Sequence, residues 1–322
     1  MTKTIGTHNG HFHCDEALAV YMLKQTKQFK EAELIRTRDA AKLDSCDIVV
    51  DVGGVYDPAT HRYDHHQRGF VEVFGGSFDT KLSSAGLIYK HFGKEIIAST
   101  LDLEESDAKV ELLYNKVYEN FIEALDGGDN GISQYPPEIK PKYRVGTALP
   151  QRVANLNPRW NDKDVDVDGQ FLKAVAMTGV DLTDCIKYLG EAWLPARELV
   201  VQALERREKE VHPSGKILVL DQACPWKEHL FLLEKELCVE EPILYVLYPD
   251  EGGNWRVQCV PASPESFETR KGLPQEWRGY RDEELSERSG VPQCIFVHMS
   301  GFIGGNKTRE GALDMAVKSL DL

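Results

Sequence analysis

The stretch that decides the fold is residues 4–22, TIGTHNGHFHCDEALAVYM. Its first residues, Thr4-Ile5-Gly6-Thr7, have the composition of a short β-strand. Apolar residues then recur at helical spacing, which predicts a helix from about Asp15 to Gln28. A strand therefore gives way to a helix through a segment rich in histidine and carboxylate side chains.

Two further apolar runs extend this pattern. Leu34-Ile35-Arg36 and Ile48-Val49-Val50-Asp51 have the composition of strands, and the second ends in a carboxylate followed by two glycines. This order predicts a parallel sheet with helices on its faces. Ligands of such sheets bind just beyond the carboxyl ends of the strands, where His8 and Asp51 fall.

A second α/β pattern occupies the last third of the chain. The predicted strands are at 217–220, 243–246, 256–259 and 295–297, and the predicted helices at 226–237 and 308–320. Before it, an apolar helical face begins near Ser106 and should end at the glycines after Asp126. We therefore expect a two-lobed α/β protein with a catalytic domain at 1–150, a helical connecting segment at 151–212 and a smaller C-terminal α/β lobe at 213–322.

Composition excludes several classes of protein. The 322 residues are 42% hydrophobic and 28% charged, which is typical of a globular chain. The formal charge of −14 argues against an extended basic nucleic-acid surface, but not against a local pocket for one phosphate or a short oligonucleotide. No apolar run is long enough to span a membrane.

Cysteine usage and the N-terminal sequence concern the compartment. The seven cysteines are odd in number and none forms Cys-x-x-Cys, so we expect reduced thiols rather than a disulfide framework or a zinc finger. The first residues show neither an apolar signal region nor an Arg-rich leader. We expect an intracellular protein of the cytoplasm, the nucleus or both, and the sequence does not predict an oligomeric state.

The first chemical cluster is the segment 8–16, HNGHFHCDE. It holds three imidazoles and two carboxylates in nine residues. This donor set suits Mn²⁺, Zn²⁺, Co²⁺ or Fe²⁺ better than Ca²⁺. Alternatively, Asp15 and Glu16 only offset the helix dipole in the first turn.

Two further clusters supply the remaining candidate ligands. Asp51 ends an apolar strand, and a buried carboxylate there needs a cation or another partner. Asp64, His65 and His66 follow it, and Asp64 could fix the ring orientation of a neighbouring histidine. Asp126 and Asp129 would extend the apolar face of the preceding helix if the helix continued, although a polar loop after a helix is the alternative interpretation.

Together these groups can supply two adjacent divalent cations with one bridging carboxylate. Such a pair, about 3.5–4 Å apart, activates water and polarises a phosphoryl oxygen. The sequence contains no P-loop, no nucleophile elbow and no Gly-x-Gly-x-x-Gly fingerprint. Metal-assisted hydrolysis is therefore the predicted reaction class.

These motifs, taken in order, resemble the melanocyte-proliferating-gene (Myg) exonuclease family, which is similar to the DHH phosphoesterase superfamily. The matching segments are THNGxFHxDE at 7–16, DVGGxYDP at 51–58, RYDHHQ at 62–67, DxxDNG at 126–131, RVxxLNPxW at 152–160 and FIGGNKT at 302–308. The resemblance thus covers essentially the whole chain. It implies a DHH-like fold and two divalent cations, Mn²⁺ as the first candidate and Mg²⁺ as the second.

The resemblance also implies roles for individual residues. His8 and His13 would bind one metal, Asp15 and His65 the other, with Asp51 bridging and Asp126 completing the second site. The implied catalytic residues are His66, pointing at substrate phosphate, with Asp64 and Asp129. The implied substrate-binding residues are Arg152, His298, Gly304, Gly305, Asn306 and Lys307. One departure is that His13 stands where an aspartate is usual, which leaves the site one negative charge poorer.

The activity that the resemblance implies is removal of 5′-mononucleotides from the 3′ end of a short RNA. One alternative keeps the chemistry and changes the substrate to pyrophosphate, a cyclic dinucleotide or another small phosphoester. The other alternative is a metal-binding regulatory protein with little activity. His11 and His61 have no counterpart in the family pattern, and we interpret them as surface residues.

Overall fold

The chain forms two compact units in the computed structural model, which describes residues 2–322. The first unit ends at Glu191 and the second comprises Ala192–Leu322. Both are α/β, in agreement with the predicted fold class. The expected connecting segment at 151–212 is divided between them, because its first helices pack within the first unit.

The first unit is built on the predicted parallel sheet. Its strands are β1 Thr4–Thr7, β2 Glu33–Arg36, β3 Ile48–Val50, β4 Tyr56–Asp57 and β5 Arg62–Tyr63, in the order β2-β1-β3-β5-β4. The pairings of β2 with β1, β1 with β3 and β3 with β5 are parallel. At the edge, β4 pairs with β5 in the antiparallel direction. Ile5 pairs with Leu34 on one side and Ile48 on the other, so the central strand is apolar where it is buried.

Helices cover this sheet, and a small hairpin follows it. The helices are α1 Cys14–Lys24, α2 Ala40–Asp44, α3 Ser84–Leu101, α4 Ala108–Val117, α5 Glu123–Asp129, α6 Leu149–Ala154 and α7 Val167–Lys187, and the hairpin is β6 Val73–Gly75 with β7 Phe78–Lys81. The helix α1 packs against α3 and α7. It is buried on nearly all sides, which explains its apolar sequence beyond a single stripe.

The helix predicted from Ser106 is interrupted by a π-helical turn. It begins at Ala108, capped by Asp107, and passes from α4 through the π-helical turn at Tyr118–Ile122 into α5. The helix ends at Asp129, and of the glycines expected to end it, Gly131 follows the cap residue Asn130. The Asn130 side chain donates to the backbone oxygens of Asp126 and Lys81, and Gly131 takes the positive φ of 68° that follows many helices.

The second unit is built on a mixed sheet. Its strands are β8 Ile217–Val219, β9 Tyr245–Pro249, β10 Trp255–Cys259, β11 Cys294–Val297 and β12 Ile303–Asn306, in the order β11-β12-β10-β9-β8, with α8 Leu194–Arg206, α9 Trp226–Glu236, α10 Asp282–Ser289 and α11 Arg309–Asp321. The pairing of β8 with β9 is parallel, and the other pairings are antiparallel. Its core includes Val219, Val257 and Met315, all without exposed surface.

Two general expectations concern the thiols and membrane insertion. All seven cysteines are free thiols. Across residues 2–322, none of the helices combines the length and the apolarity that crossing a bilayer requires.

Candidate metal centre

Ionisable side chains follow three neighbouring parallel strands. His8 comes directly after β1, Asp51 after β3, and Asp64 with His65 after β5. Because parallel strands place their carboxyl ends at one edge of a sheet, these side chains converge there. His8 Nε2 lies 3.3 Å from Asp51 Oδ2, and His65 Nε2 lies 3.4 Å from Asp51 Oδ1.

Asp51 occupies the centre of this convergence. Its φ of 58° is in the left-handed region, which aspartate tolerates better than most residues with a side chain. Its backbone N–H donates to the oxygen of Tyr63, which holds the turn against β5. The carboxylate therefore points one oxygen toward His8 and the other toward His65, the arrangement that a bridging ligand needs.

The amino end of α1 adds two buried carboxylates. Asp15 Oδ2 accepts from the Ser84 hydroxyl at 2.7 Å. Glu16 is fully buried, accepts from the His13 backbone N–H at 2.8 Å and lies 3.1 Å from His8 Nε2. The sequence placed Glu16 in the donor set of its segment, but the family resemblance assigned it no individual ligand role. The available signal was its position as the third helical residue, where a glutamate folds back on the N-cap.

Asp126 and Asp129 have different environments. Asp126 is fully buried and its oxygens accept from Ser83 N–H and Oγ, Gly86 N–H and the Tyr118 hydroxyl, at 2.7–3.1 Å. Those four donors leave it no orientation toward the cluster. Asp129 instead places Oδ2 3.2 Å from His65 Nε2. The geometry therefore puts Asp129, where Asp126 was expected, beside Asp15 and His65.

His66 is held at the edge of the cluster by Asp64. The Asp64 carboxylate is buried and accepts from Gly54 N–H at 2.6 Å and from His66 N–H at 3.1 Å. Its Oδ1 lies 2.7 Å from His66 Nδ1. One edge of this exposed ring therefore faces Asp64, and the other edge is left for a ligand.

The pKa values of the cluster indicate an excess of buried negative charge. Burial raises the pKa of Glu16 to about 8, and burial together with the Asp15 charge raises the pKa of Asp129 to about 8. Burial alone would lower the pKa of His8, but the Asp51 and Glu16 carboxylates raise it to about 10. Without a metal ion, the negative charge of the cluster therefore favours protonation of His8, Glu16 and Asp129.

Unpartnered atoms identify where such a cation would bind. Asp15 Oδ1, Glu16 Oε2, Asp51 Oδ1 and both ring nitrogens of His65 are buried and have no hydrogen-bond partner. Three groups bring their ligand atoms within 4.8 Å of one another: His8, His13, Glu16 and Asp51; Asp51, His65 and His66; and Asp15, His65 and Asp129. Mixed imidazole and carboxylate donors fit Mn²⁺ well, so the residues fit the expected cations.

A cavity of about 520 Å³ opens over these groups. It is lined by Asp15, Asp51, His65, His66 and Asp129 and contains one basic side chain, that of Lys81. A second cavity, of about 320 Å³, lies over His8 and His13 and is lined by Arg38. No sequence pattern indicated Lys81, because it lies in the short strand β7, away from the histidine motifs.

The predicted substrate-binding residues are divided between the two units. Arg152, in α6, makes a salt bridge of 2.8 Å with Asp181. In the second unit, Gly304 and Gly305 lie in β12, paired in register with β10 and β11 on either side. The two glycines expected to bind substrate are therefore part of a strand in the sheet.

The residues around this strand have different environments. The Asn306 side chain is buried and donates to the Pro292 oxygen while accepting from Thr308, so it stabilises the start of α11. His298 and Lys307 are exposed. His11 is exposed as expected, but His61 is partly buried among aromatic rings, with its ring centroid 5.7 Å from that of Phe29.

Comparisons with known proteins agree over the whole chain. The family model MYG1_exonuc, described as "Uncharacterised protein family (UPF0160)", matches residues 4–320. The chain is 53% identical to the human MYG1 exonuclease, covering 98% of this chain and 85% of that protein. It is 51% identical to the MYG1 protein of Dictyostelium discoideum, covering 99% and 96%, and 47% identical to that of Saccharomyces cerevisiae, covering 99% and 96%.

A solved structure of the exonuclease RecJ bound to manganese is a distant neighbour. It is 12% identical, the match covers 98% of this chain and 89% of that chain, and the TM-score is 0.25. A likeness of this size carries no argument about the site.

Proposed function

The chain belongs to the MYG1_exonuc family, and we propose that it is a metal-dependent exonuclease that removes 5′-mononucleotides from the 3′ end of RNA. The observation that carries the proposal is the set of buried, unpartnered carboxylate and imidazole atoms around Asp51, at the carboxyl ends of the parallel strands. The human relative bears the name exonuclease, which supports this choice among phosphoesterase activities.

The side chains divide into two sets of metal ligands that share Asp51. His8, His13 and Glu16 would hold one ion, and Asp15, His65 and Asp129 the other. A pair of divalent cations supplies positive charge for the phosphoryl oxygens and lowers the pKa of a water molecule. Mn²⁺ accepts imidazole and carboxylate together, whereas Mg²⁺ favours oxygen ligands, so we propose Mn²⁺ as the cofactor.

The remaining residues position the substrate. His66, held by Asp64, presents its exposed ring to the bound strand. Lys81 adds a positive charge in the same cavity. At about 520 Å³ the cavity has the size of a small-ligand site, so it accommodates a terminal nucleotide rather than a duplex.

A second candidate function is hydrolysis of a small phosphoester such as pyrophosphate. The formal charge of −14 favours it, because a strongly acidic chain repels long polyanions. The cavity size is compatible with both substrates.

The test uses a short RNA labelled at its 5′ end, incubated with the protein and Mn²⁺, with pyrophosphate assayed in parallel. We expect a ladder that shortens from the 3′ end and is lost in Asp51→Asn, a substitution that keeps the size and tolerates the positive φ at this position. Intact RNA with cleaved pyrophosphate would replace the exonuclease by the small-substrate function. No hydrolysis of either would favour a regulatory metal-binding protein.

A further inference from the structure

The cavity is bordered by a long exposed segment, residues 131–148, which we call the rim loop. Every residue in it is exposed, and it contains neither helix nor strand. Asn130, just before the rim loop, and Pro150, just after it, both line the cavity over the metal ligands. The segment therefore leaves the cavity and returns to it.

Basic and apolar residues alternate along the second half of the rim loop. Lys140, Lys142 and Arg144 alternate with Ile139, Pro141, Tyr143 and Val145. Glu138 is the single acidic residue of the segment. This is a local excess of positive charge in a chain whose formal charge is −14.

The three cations have no carboxylate partner within residues 2–322. Elsewhere in the first unit basic side chains are often paired, as in the bridges Lys90–Glu72 at 3.1 Å and Arg152–Asp181 at 2.8 Å. Unpaired cations at the rim of a cavity attract an anionic ligand.

The rim loop also exposes apolar and aromatic surface. Tyr143 is 78% exposed, Tyr135 51%, Ile139 56% and Val145 62%. Residues 133–135 and 139–145 line an open cavity of about 900 Å³, and none of the metal ligands is part of its lining. Exposed apolar surface of this kind, rimmed by charge, is typical of an interaction site.

We propose that the rim loop binds single-stranded RNA on the 5′ side of the phosphodiester that is cleaved. Lys140, Lys142 and Arg144 pair with successive phosphates, and Tyr135 and Tyr143 stack on unpaired bases. Alternating cations and aromatic faces are the combination that single-stranded nucleic acids require. The inference rests on the proposed function. It assigns a binding surface to the part of the RNA that stays bound after the terminal nucleotide is released.

Charge complementarity selects RNA as the occupant rather than a protein partner. Asn130 and Pro150, which flank the rim loop, line the cavity for the terminal nucleotide, so one strand can reach from that cavity to the loop. Three prolines, Pro136, Pro137 and Pro141, restrict the backbone of the free loop. Restriction before binding reduces the conformational entropy that binding must remove.

The decisive variant carries Lys140→Gln, Lys142→Gln and Arg144→Gln together. We expect KM for a 12-nucleotide RNA to rise at least about 10-fold, while KM for a dinucleotide, which fills only the first cavity, changes less than about twofold. The slope of log Kd against log salt should fall by about 2, because each lost phosphate contact on a single strand removes about 0.7. In addition, Tyr143→Ala should weaken binding of the 12-mer roughly 10-fold.

The matched control is Lys27→Gln, Lys30→Gln and Lys42→Gln. These lysines are exposed, belong to the same unit and change the charge equally, but lie outside the rim loop. We expect the control to bind the 12-mer within about twofold of the unmodified protein. An equal loss in both triple variants would show a general charge effect and would overturn the inference.

Binding is measured separately from cleavage, by fluorescence anisotropy with a phosphorothioate 12-mer and Mn²⁺. RNA that the unmodified protein binds and the rim-loop variant does not, without any cleavage of ordinary RNA, would support the binding site and refute the exonuclease. RNA cleaved and bound equally by both would refute the rim-loop site and leave the exonuclease standing. Equal competition by a duplex, whose bases cannot stack on tyrosine, would also overturn the inference.

Discussion

The ionisable side chains around Asp51, which we call the strand-end cluster, and the strand β12 of the second unit were both expected to contact substrate phosphate. They differ in whether their polar atoms have hydrogen-bond partners. Around Asp51, buried oxygens and nitrogens have no partner. In β12, Gly304 and Gly305 pair in register on both sides, and the Asn306 amide bonds to Pro292. Among residues 2–322, the unpartnered buried carboxylate and imidazole atoms all belong to the strand-end cluster.

The difference shows why a motif alone is a weak guide to a binding site. A buried polar atom without a partner costs free energy, about 1–3 kcal/mol and more for a charged group, unless a ligand satisfies it. The first region has several such atoms in one place, so its sequence is explained by a ligand. The second has an ordinary structural explanation, because Gly304 lies between two paired strands and a Cβ on it would lie 3.1 Å from the backbone oxygen of Phe296.

The largest expected effect separates Asp129 from its helix neighbours. Asp129→Asn should lower kcat about 100-fold or more, because it removes a charged ligand beside Asp15 and His65. Thermal melting should change little, since the side chain is not part of the core. Asp79→Asn, an exposed residue of β7, is the control and should keep full activity. If Asp129→Asn retained activity, Asp129 would not belong to the site.

Metal removal tests the unpartnered atoms directly. Mn²⁺ at 100 times its Kd should raise the free energy of unfolding by about 2.7 kcal/mol over protein in EDTA. Differential scanning calorimetry measures the effect, and Asp51→Asn should reduce it. An identical stabilisation in Asp51→Asn would place the bound ion elsewhere in the chain.

The pH dependence of stability tests the contrast between Asp126 and Asp129. Burial raises the pKa of Asp126 from 3.8 to about 7, so between these values the native state holds a proton that the unfolded state has lost. Stability therefore falls as the pH rises from 4 to 7, by up to about 1.4 kcal/mol per pH unit for this one group.

Asp126→Asn should remove this contribution. Urea unfolding at several pH values gives the free energy of unfolding of both proteins. The free energy of unfolding of the unmodified protein minus that of Asp126→Asn should fall as the pH rises from 4 to 7. A constant difference would mean that Asp126 is ionised in the native protein throughout.

The smallest expected effect concerns the second unit. If Lys307 binds phosphate from its exposed position, Lys307→Ala should raise KM about threefold and leave kcat unchanged, as the loss of one solvent-exposed charge contact implies. Lys235→Ala, another exposed lysine of the second unit, should change neither. Equal KM values for Lys307→Ala and the unmodified protein would remove Lys307 from the substrate site.

The sheet of the first unit was predictable because its strands are apolar runs that end in polar residues. Ile48–Val50 followed by Asp51 shows this pattern, and it predicts the strand and a buried carboxylate in need of a partner, whereas the bridging role of Asp51 was implied only by the family resemblance. The strands β4 and β5 have two residues each, which is too short for any periodicity to be detected. The hydrogen bonds of Tyr63 and its neighbours, rather than local preference, define them.

The ligand set was predictable in composition but not in detail. Histidine and aspartate at strand ends identified the region, since they have no reason to be there without a ligand. Asp126 faces away from the cluster because Ser83 and Tyr118 donate to it. Ser83 is distant in sequence, and Tyr118 begins the irregular π-helical turn, so neither contact could be predicted from the motif. Glu16 was missed because a glutamate at this helix position usually serves only as part of a cap.

The π-helical turn at Tyr118–Ile122 determines where this helix can change length in evolution. A π turn is an α-helix with one additional residue, so losing exposed Glu119 or Asn120 can restore a regular helix without rotating the residues of α5. The same deletion between Glu123 and Asp129 would turn Asp129 by about 100° around the helix axis and away from His65. Homologous chains can therefore lose one residue inside the turn and keep the metal ligands in register, whereas a deletion within the seven residues of α5 would move Asp129 out of the cluster.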